Sequence, residues 1–158
     1  MTRLLILFMQ IVLYQPRIPP NTGSIARLCA ATDTPLNLVG PLGFSLDDKY
    51  LKRAGLDYWS YVKLQVWENW ETFLNGLRPV DRLVMTSARK GICYTRHRFE
   101  NNHFLVFGPE TWGLPENIVS QGHFLVRIPI WGKVRSLNLA NAAAVVLYEG
   151  YRQTGMLK

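Results

Sequence analysis

The stretch from Phe104 to Glu149 constrains the fold most, because it holds two short apolar runs that each end in glycine- and proline-containing sequence. The runs, Phe104–Phe107 and Phe124–Ile128, have the length and continuous hydrophobicity of buried parallel strands. The loop after the second run leads into Ser136-Leu137-Asn138, which opens a long apolar helix. Two loops and a helix N-terminus therefore meet at one edge of the predicted sheet, and open α/β sheets bind ligands at that edge.

The rest of the chain alternates apolar runs with helical patterns. The further predicted strands are Ile11–Tyr14, Leu36–Val39, Val62–Val66 and Leu83–Thr86, and the helices between them cover residues 21–32, 45–56 and 68–77. This order predicts a single domain, residues 1–158, built as a parallel sheet with helices on both faces. Asn21 or Thr22 is the expected cap of the first helix, after an extended proline-rich loop, and Ser45 with Asp48 forms a capping box.

The composition favours a polyanionic partner and a reducing compartment. The net charge is +7 with a pI near 9.7, which favours nucleic acid ahead of a membrane surface. The two cysteines, Cys29 and Cys93, form no CxxC pair or disulfide framework, so we expect a cytoplasmic protein. No apolar run reaches the roughly 20 residues that a membrane span needs, so no membrane partner is expected.

The start of the chain and the histidines each allow a second interpretation. The first apolar run superficially suggests a signal peptide, but it contains Gln10 and lacks a small-residue cleavage site, so a first strand is favoured; Met1 and Met9 both stay open as the natural start. The three histidines have no metal-ligand spacing. They are predicted to be surface residues or residues at the rim of the site, and no metal site is expected; they are His97, His103 and His123.

The two loops of the opening stretch favour a small-ligand pocket. Neither FGPETWGLP nor IPIWGKVRS is a GxGxxG fingerprint or a P-loop, and no Ser/His/Asp or Cys/His set stands in the loops. Gly108 allows close approach of the backbone to a ligand, and Ser136 is predicted to cap the following helix, whose N–H groups suit a carboxylate or phosphate. That helix runs to about Thr154 and is apolar almost all round, which predicts burial in a dimer. From spacing alone, Arg27 is either a solvated helix residue or a functional group.

Three stretches in chain order resemble the three motifs of the SPOUT RNA methyltransferases. They are NTGSIAR at 21–27, FGPETWGLP at 107–115 and IPIWGKVRSLNLANAAAVVLYE at 128–149. Two further segments, QIVLYQPRIPPNTGSIARLCA and DDKYLKRAGLDYW, are similar to the small single-domain members that 2′-O-methylate the wobble nucleotide of tRNA. The resemblance covers nearly the whole chain.

This resemblance implies a trefoil-knotted α/β fold with S-adenosylmethionine folded into the knot. It implies a cofactor-binding site lined by Thr86, Gly108, Ile128, Ser136 and Leu137. Arg27 matches the family's catalytic arginine, which acts on the ribose hydroxyl as a base or as an orienting group. In related enzymes this arginine comes from the partner subunit, so a homodimer is expected.

The implied substrate is the anticodon stem-loop of tRNA. The candidate RNA-binding residues are Arg17, Lys52, Arg53, Arg135 and Tyr148. Trp112 departs from the basic or small residue common at its position in relatives, so it either stacks on a base or packs. Three alternatives stay open: methylation of another tRNA or rRNA site, a non-catalytic RNA-binding protein of the same fold, and a flavodoxin-like nucleotide module without a knot. The tRNA isoacceptors and the preference for cytidine or uridine are not predicted.

Overall fold

The computed structural model describes residues 8–47, 49, 51, 53 and 58–158, which form one seven-stranded sheet. Its strands are β1 (Gln10–Tyr14), β2 (Leu36–Val39), β3 (Leu64–Trp67), β4 (Arg82–Ser87), β5 (Ile92–Cys93), β6 (His103–Phe107) and β7 (Phe124–Arg127). They lie in the order β3-β2-β1-β6-β4-β7-β5, and every neighbouring pair is parallel. The predicted parallel sheet is confirmed, and the two-residue strand β5 is an addition to it.

Helices cover both faces of the sheet, as predicted. They are α1 (Pro19–Thr32), α2 (Trp70–Asn75), α3 (Glu116–Val119) and α4 (Leu139–Gln153), with short 3₁₀ turns at Trp59–Tyr61 and Tyr94–Arg96. Successive residues of a strand point to opposite faces. Ile11 and Leu13 therefore pack in the core that α1 and α4 cover, whereas Val12 packs in the core that contains Phe73 of α2 and Ile118 of α3.

Strand β6 occupies the middle of the sheet, between β1 and β4. All five of its residues are buried, which explains the continuous apolar run in the sequence. Because the strands are parallel, the loops that follow β4, β6 and β7 all leave from the same edge of the sheet. The loops after β6 and β7 therefore meet at one edge of the sheet, as predicted.

The predicted cap of α1 is wrong. The helix begins at Pro19, with Ile18 as its N-cap and no side-chain cap bond, so Asn21 and Thr22 lie inside the first turn. Proline is tolerated there because the first N–H groups of a helix have no intrahelical acceptor. The side chain of Asn21 is consequently available for a contact outside the helix.

The predicted cap of α4 is also wrong by two residues. Asn138 is the N-cap, and its Oδ1 accepts hydrogen bonds from the N–H groups of Ala140 and Asn141 at 2.9 and 3.2 Å. Ser136 lies in the exposed loop before it. Nor is α4 buried all round in a single chain, because Tyr148 is 45% exposed. Burial of that side by a second subunit stays a prediction.

Two of the three histidine assignments are wrong. His97 and His103 are 6% and 2% exposed, and their rings pack against Phe99 and Phe124 in edge-on or tilted contacts. His123 is exposed, as predicted.

The predicted Ser45–Asp48 capping box and the candidate Lys52 both involve positions outside the described residues.

Candidate active site

A cavity of about 770 Å³ lies at the edge of the sheet where β4, β6 and β7 end. This volume falls within the range of small-molecule sites. The five residues predicted to bind the cofactor all line it: Thr86, Gly108, Ile128, Ser136 and Leu137. The structure therefore brings together residues that stand up to 51 positions apart in the sequence.

The cavity has an apolar interior and a polar rim. Its apolar lining includes Ile128, Ile130 and, on α4, Leu139, Ala142 and Val146. Thr86 donates its hydroxyl proton to the carbonyl oxygen of Val106 at 2.8 Å, so that side chain is engaged within the sheet. The site therefore suits a ligand with a flat apolar part and a polar part.

The loop after β6 folds back on itself at Gly108. A Cβ at this position would lie 2.3 Å from the carbonyl carbon of Gly113 and from the nitrogen of Leu114. Gly113 adopts a φ of +69°, and its N–H donates to the carbonyl of Pro109 at 2.9 Å. From the sequence, Gly108 was expected to allow close approach of a ligand. In the structure, the atoms nearest to Gly108 belong to its own loop. Gly108 also lines the cavity.

Glu110 joins this loop to the start of α1. Its Oε2 accepts from the N–H of Arg17 at 3.0 Å, and its Oε1 accepts from the N–H of Ile18 at 3.1 Å and from Nδ2 of Asn21 at 3.4 Å. A carboxylate is favoured at a helix N-terminus by the free N–H groups and by the helix dipole. Nδ2 of Asn138 then donates to Oδ1 of Asn21 at 2.9 Å. One carboxylate and two amides thus tie together the loop after β6, α1 and α4.

The sequence does not reveal this network of Glu110. Its partners are 89 to 93 residues away along the chain, and two of them are backbone N–H groups. The available signal was the start of α1, whose first N–H groups need acceptors and whose N-cap, Ile18, offers no side-chain acceptor.

Arg27 lies on the exposed side of α1, and its guanidinium carbon is 4.6 Å from the ring centroid of Tyr58. Arg27 is not one of the described residues that line the cavity. A single chain therefore does not bring the candidate catalytic residue to the candidate cofactor site.

The candidate RNA-binding residues are spread more widely. Arg135 lines the cavity, and Arg17 lies over the ring of Trp112, which also lines it. Tyr148 is exposed on α4, and Arg53 is exposed next to positions that lie outside the described residues. Only two of the described candidates, Arg17 and Arg135, are thus placed at the cavity or beside it.

A basic loop after β4 borders the same cavity. The hydroxyl oxygen of Ser87 accepts from the N–H groups of Arg89 and Lys90 at 3.2 and 3.1 Å, which fixes the turn. Lys90 bonds to Glu116, and this hydrogen bond lowers the pKa of the Glu116 carboxyl. Glu116 therefore stays ionised and pairs with Lys90, while Arg89 and Arg135 keep the cavity mouth positively charged.

In the part of the chain that the structure describes, no three His, Cys, Asp or Glu side chains are grouped so that they could hold a metal ion. None of the described helices combines the length and the hydrophobicity needed to cross a membrane.

Comparison with known proteins identifies relatives over most of the chain. Residues 9–148 match the model of the SpoU rRNA Methylase family. A tRNA (cytidine(34)-2'-O)-methyltransferase of Methylovorus glucosotrophus is 54% identical over 145 residues, which cover 90% of this chain and 94% of that protein. A counterpart of the same name in Aeromonas hydrophila is 46% identical over 93% of this chain and 95% of its own length.

Two solved structures extend the comparison. One, described as giving structural insights into the 2-OH methylation of C/U34 on tRNA, superposes with a TM-score of 0.91 at 45% identity and covers 95% of this chain and 98% of its own. The SpoU methyltransferase AviRb of Streptomyces viridochromogenes, in complex with the cofactor AdoMet, superposes with a TM-score of 0.84 at 25% identity. That match covers 94% of this chain and 61% of AviRb.

Proposed function

The chain belongs to the SpoU rRNA methylase family, and we propose that it transfers a methyl group from S-adenosylmethionine to the ribose 2′-hydroxyl of nucleotide 34, the wobble position of tRNA. The observation that carries this proposal is the cavity in which the loops after β4, β6 and β7 converge. The similarity to proteins named for methylation of cytidine 34, along nine tenths of this chain, supports the choice of nucleotide.

The residues of the cavity fit this cofactor. Ile128, Ile130 and Leu139 offer apolar surface for a flat purine ring, and Ser136 and Asn138 offer polar groups at the rim. When bound, S-adenosylmethionine supplies an activated methyl group, because a sulfonium makes its sulfur a good leaving group. The protein must then hold the ribose oxygen in line with that methyl group and assist transfer of the hydroxyl proton to solvent.

We assign that assistance to Arg27. A guanidinium stays protonated at neutral pH and is therefore a poor base, so the role of Arg27 is to orient the hydroxyl and to stabilise the alkoxide that develops on the oxygen. Because Arg27 lies away from the cavity of its own chain, the proposal includes a homodimer in which Arg27 of one subunit enters the cavity of the other. Exposed apolar side chains on α4 and on the loop before it support such an interface: Trp131, Val134, Leu137, Val145 and Tyr148.

We propose that the chain around the cavity forms a trefoil knot. After β7 the chain returns to α4, whose N-cap Asn138 bonds to Asn21 of α1, while Glu110 of the loop after β6 bonds to the same asparagine. Two loops that converge on one residue of α1 are consistent with threading of the C-terminal segment past the loop after β6. A chain trace in an electron-density map through residues 104–150 tests this threading.

The proposed substrate surface is the positively charged mouth of the cavity. Arg135 lies there, and Arg17, Lys52, Arg53 and Tyr148 are proposed to contact the anticodon stem-loop. Unpaired anticodon bases are open to stacking and to hydrogen bonding, which paired bases are not. The proposed compartment is the cytoplasm, where tRNA is modified.

Mass mapping of ribose methylation tests the activity. In tRNA from a strain that lacks this gene, the 2′-O-methyl group at nucleotide 34 should disappear, and the purified protein with S-adenosylmethionine should restore it. Retention of that methyl group in the deletion strain, with loss of a methyl group elsewhere in tRNA or rRNA, would move the activity to the other site.

The Arg27→Ala substitution tests the mechanism. We expect methylation to fall by about 10² or more, because the group that stabilises the alkoxide is lost. Binding of S-adenosylhomocysteine, measured by calorimetry, should be unchanged. Arg98→Ala is a matched control, since Arg98 is an exposed arginine outside the cavity lining, and it should keep wild-type activity. Full activity of Arg27→Ala would remove Arg27 from the reaction.

A further inference from the structure

Trp112 combines exposure with a fixed neighbour at the mouth of the cavity. It lies in the loop after β6, lines the cavity, and is 64% exposed. The guanidinium carbon of Arg17 lies 4.8 Å from the centroid of its ring. An arginine at this distance is held by a cation–π interaction and covers one face of the indole. The tryptophan is therefore oriented, although most of its surface is in contact with solvent.

The carboxylate of Glu110 ties the backbone of Arg17 to the loop that carries Trp112. Glu110, two positions before Trp112, accepts the hydrogen bonds of the Arg17 and Ile18 N–H groups. On its other side, the backbone of Arg17 packs against Gly43, where an added Cβ would lie 2.8 Å from the Arg17 Cα. The pair is consequently preorganised, and a flat ligand that stacks on it would lose little conformational freedom on the protein side.

The positive charge around Trp112 and Arg17 favours a negatively charged ligand. Arg89 and Arg135 border the same cavity, and the chain carries a net charge of +7. Proteins bind single-stranded RNA by combining such cationic surface with aromatic rings and arginine planes on which unpaired bases stack.

We propose that Trp112, backed by Arg17, is a stacking platform for an unpaired base of the RNA substrate. The proposal rests on the proposed function and adds a recognition residue to it. It also replaces the direct RNA contact proposed above for Arg17 with an indirect one: Arg17 holds the indole in place. Base stacking on an aromatic side chain changes affinity by roughly 5- to 150-fold.

The experiment measures kcat and KM for an anticodon stem-loop RNA in four proteins: the wild type, Trp112→Ala, Arg17→Ala and the double variant. We expect KM to rise about tenfold in each single variant, and no further in the double variant, because residues that act as one unit are not additive. The value of kcat at saturating RNA should hold, as should the affinity for S-adenosylhomocysteine. Trp112→Phe should recover most of the lost affinity, since it keeps an aromatic face.

A matched control and a salt titration separate the outcomes. Tyr61→Ala removes an exposed aromatic side chain outside the cavity lining and should leave KM unchanged. An unchanged KM in Trp112→Ala, with an active wild type, overturns the platform and leaves the proposed function intact. Additive effects, with a salt slope for Arg17→Ala that is smaller by about 0.7, would mean that Arg17 contacts a phosphate and would also overturn it. If sedimentation shows that Trp112→Ala dissociates a dimer, the stacking platform is overturned as well. A wild type without activity on tRNA would refute the proposed function itself.

Discussion

Burial, which local spacing in the sequence does not reveal, lowers the pKa of His97 and His103. The two rings lie 5.3 Å apart, packed with Phe99 and Phe124. Burial, with a smaller contribution from His97, lowers the pKa of His103 to about 4, and burial also lowers the pKa of His97. Both are therefore neutral at pH 7, and a proton added to either would place a charge among aromatic rings.

The stability of the protein should fall in mild acid. A histidine with a folded-state pKa below its usual 6.5 stabilises the fold fully above pH 6.5 and loses that contribution as the pH falls towards 4. For His103 the free energy of unfolding should decrease by about 2 kcal/mol between pH 7 and pH 5. Urea denaturation at the two pH values measures this.

His103→Asn should reduce that decrease. Asparagine can still accept the hydrogen bond that Nδ1 of His103 accepts from the N–H of Glu100 at 3.2 Å, but it does not titrate. His123→Asn is the matched control: His123 is exposed, and its Nδ1 likewise accepts a backbone N–H, that of Leu83 at 2.9 Å. The control should keep the full decrease. Equal stability of the wild type at both pH values would contradict the prediction.

The sequence predicted which residues line the cavity but not what holds the lining together. Gly108, Ile128 and Ser136 follow or approach recognisable strand and helix ends, so local patterns place them at one edge of the sheet. Glu110 and Asn21 meet across 89 residues, and no local spacing encodes such a contact. Arg27 was found through a resemblance, since its position on α1 is equally that of a solvated helix residue.

At the scale of elements, two of the helices that border the cavity, α1 and α4, begin where local rules were ambiguous. Ser136 and Asn138 are both good N-cap residues, and only the hydrogen bonds to Ala140 and Asn141 identify Asn138. Pro19 was assigned to an extended loop although proline also suits the first turn of a helix. The existence of both helices was thus predictable, while their first residues depended on contacts with other parts of the chain.

Substitutions at Asn138 and Ser136 should separate stability from binding. Asn138→Ala removes two cap bonds and the bond to Asn21, and it should lower the free energy of unfolding by about 1–2 kcal/mol. Asn138→Asp keeps an acceptor for the cap and should lose less. Ser136→Ala should leave stability unchanged and weaken S-adenosylhomocysteine binding by on the order of 1 kcal/mol. Chemical denaturation and calorimetry measure the two effects, and a large loss of stability in Ser136→Ala would contradict the assignment of the cap.

At the scale of the whole molecule, the alternation of strands and helices predicted a parallel sheet but not the order of its strands. β6 lies between β1 and β4, and β7 lies beyond β4, next to β5. Burial of every residue in β6 is consistent with its central position, yet hydrophobicity does not state which strands are its neighbours. β5, with two residues, is too short to show any period.

The proposed site is complete only if Arg27 enters the cavity of another subunit. Two inactive variants should then complement each other. Arg27→Ala lacks the guanidinium but keeps its cavity. Gly108→Ala keeps Arg27 but forces its Cβ to within 2.3 Å of Gly113 and Leu114, which displaces one wall of the cavity. In a hybrid dimer, the intact cavity of the first variant receives the arginine of the second.

Co-expression of the two variants at equal levels should therefore restore activity. In a two-fold symmetric dimer, about half of the molecules are hybrids and each hybrid has one complete site, so about a quarter of the wild-type activity should return. Calorimetry must first show that Gly108→Ala has lost S-adenosylhomocysteine binding, and circular dichroism must show that it is folded. If Arg27 instead acts on the cavity of its own chain, neither variant can complete a site in the other, and the mixture will be as inactive as its components.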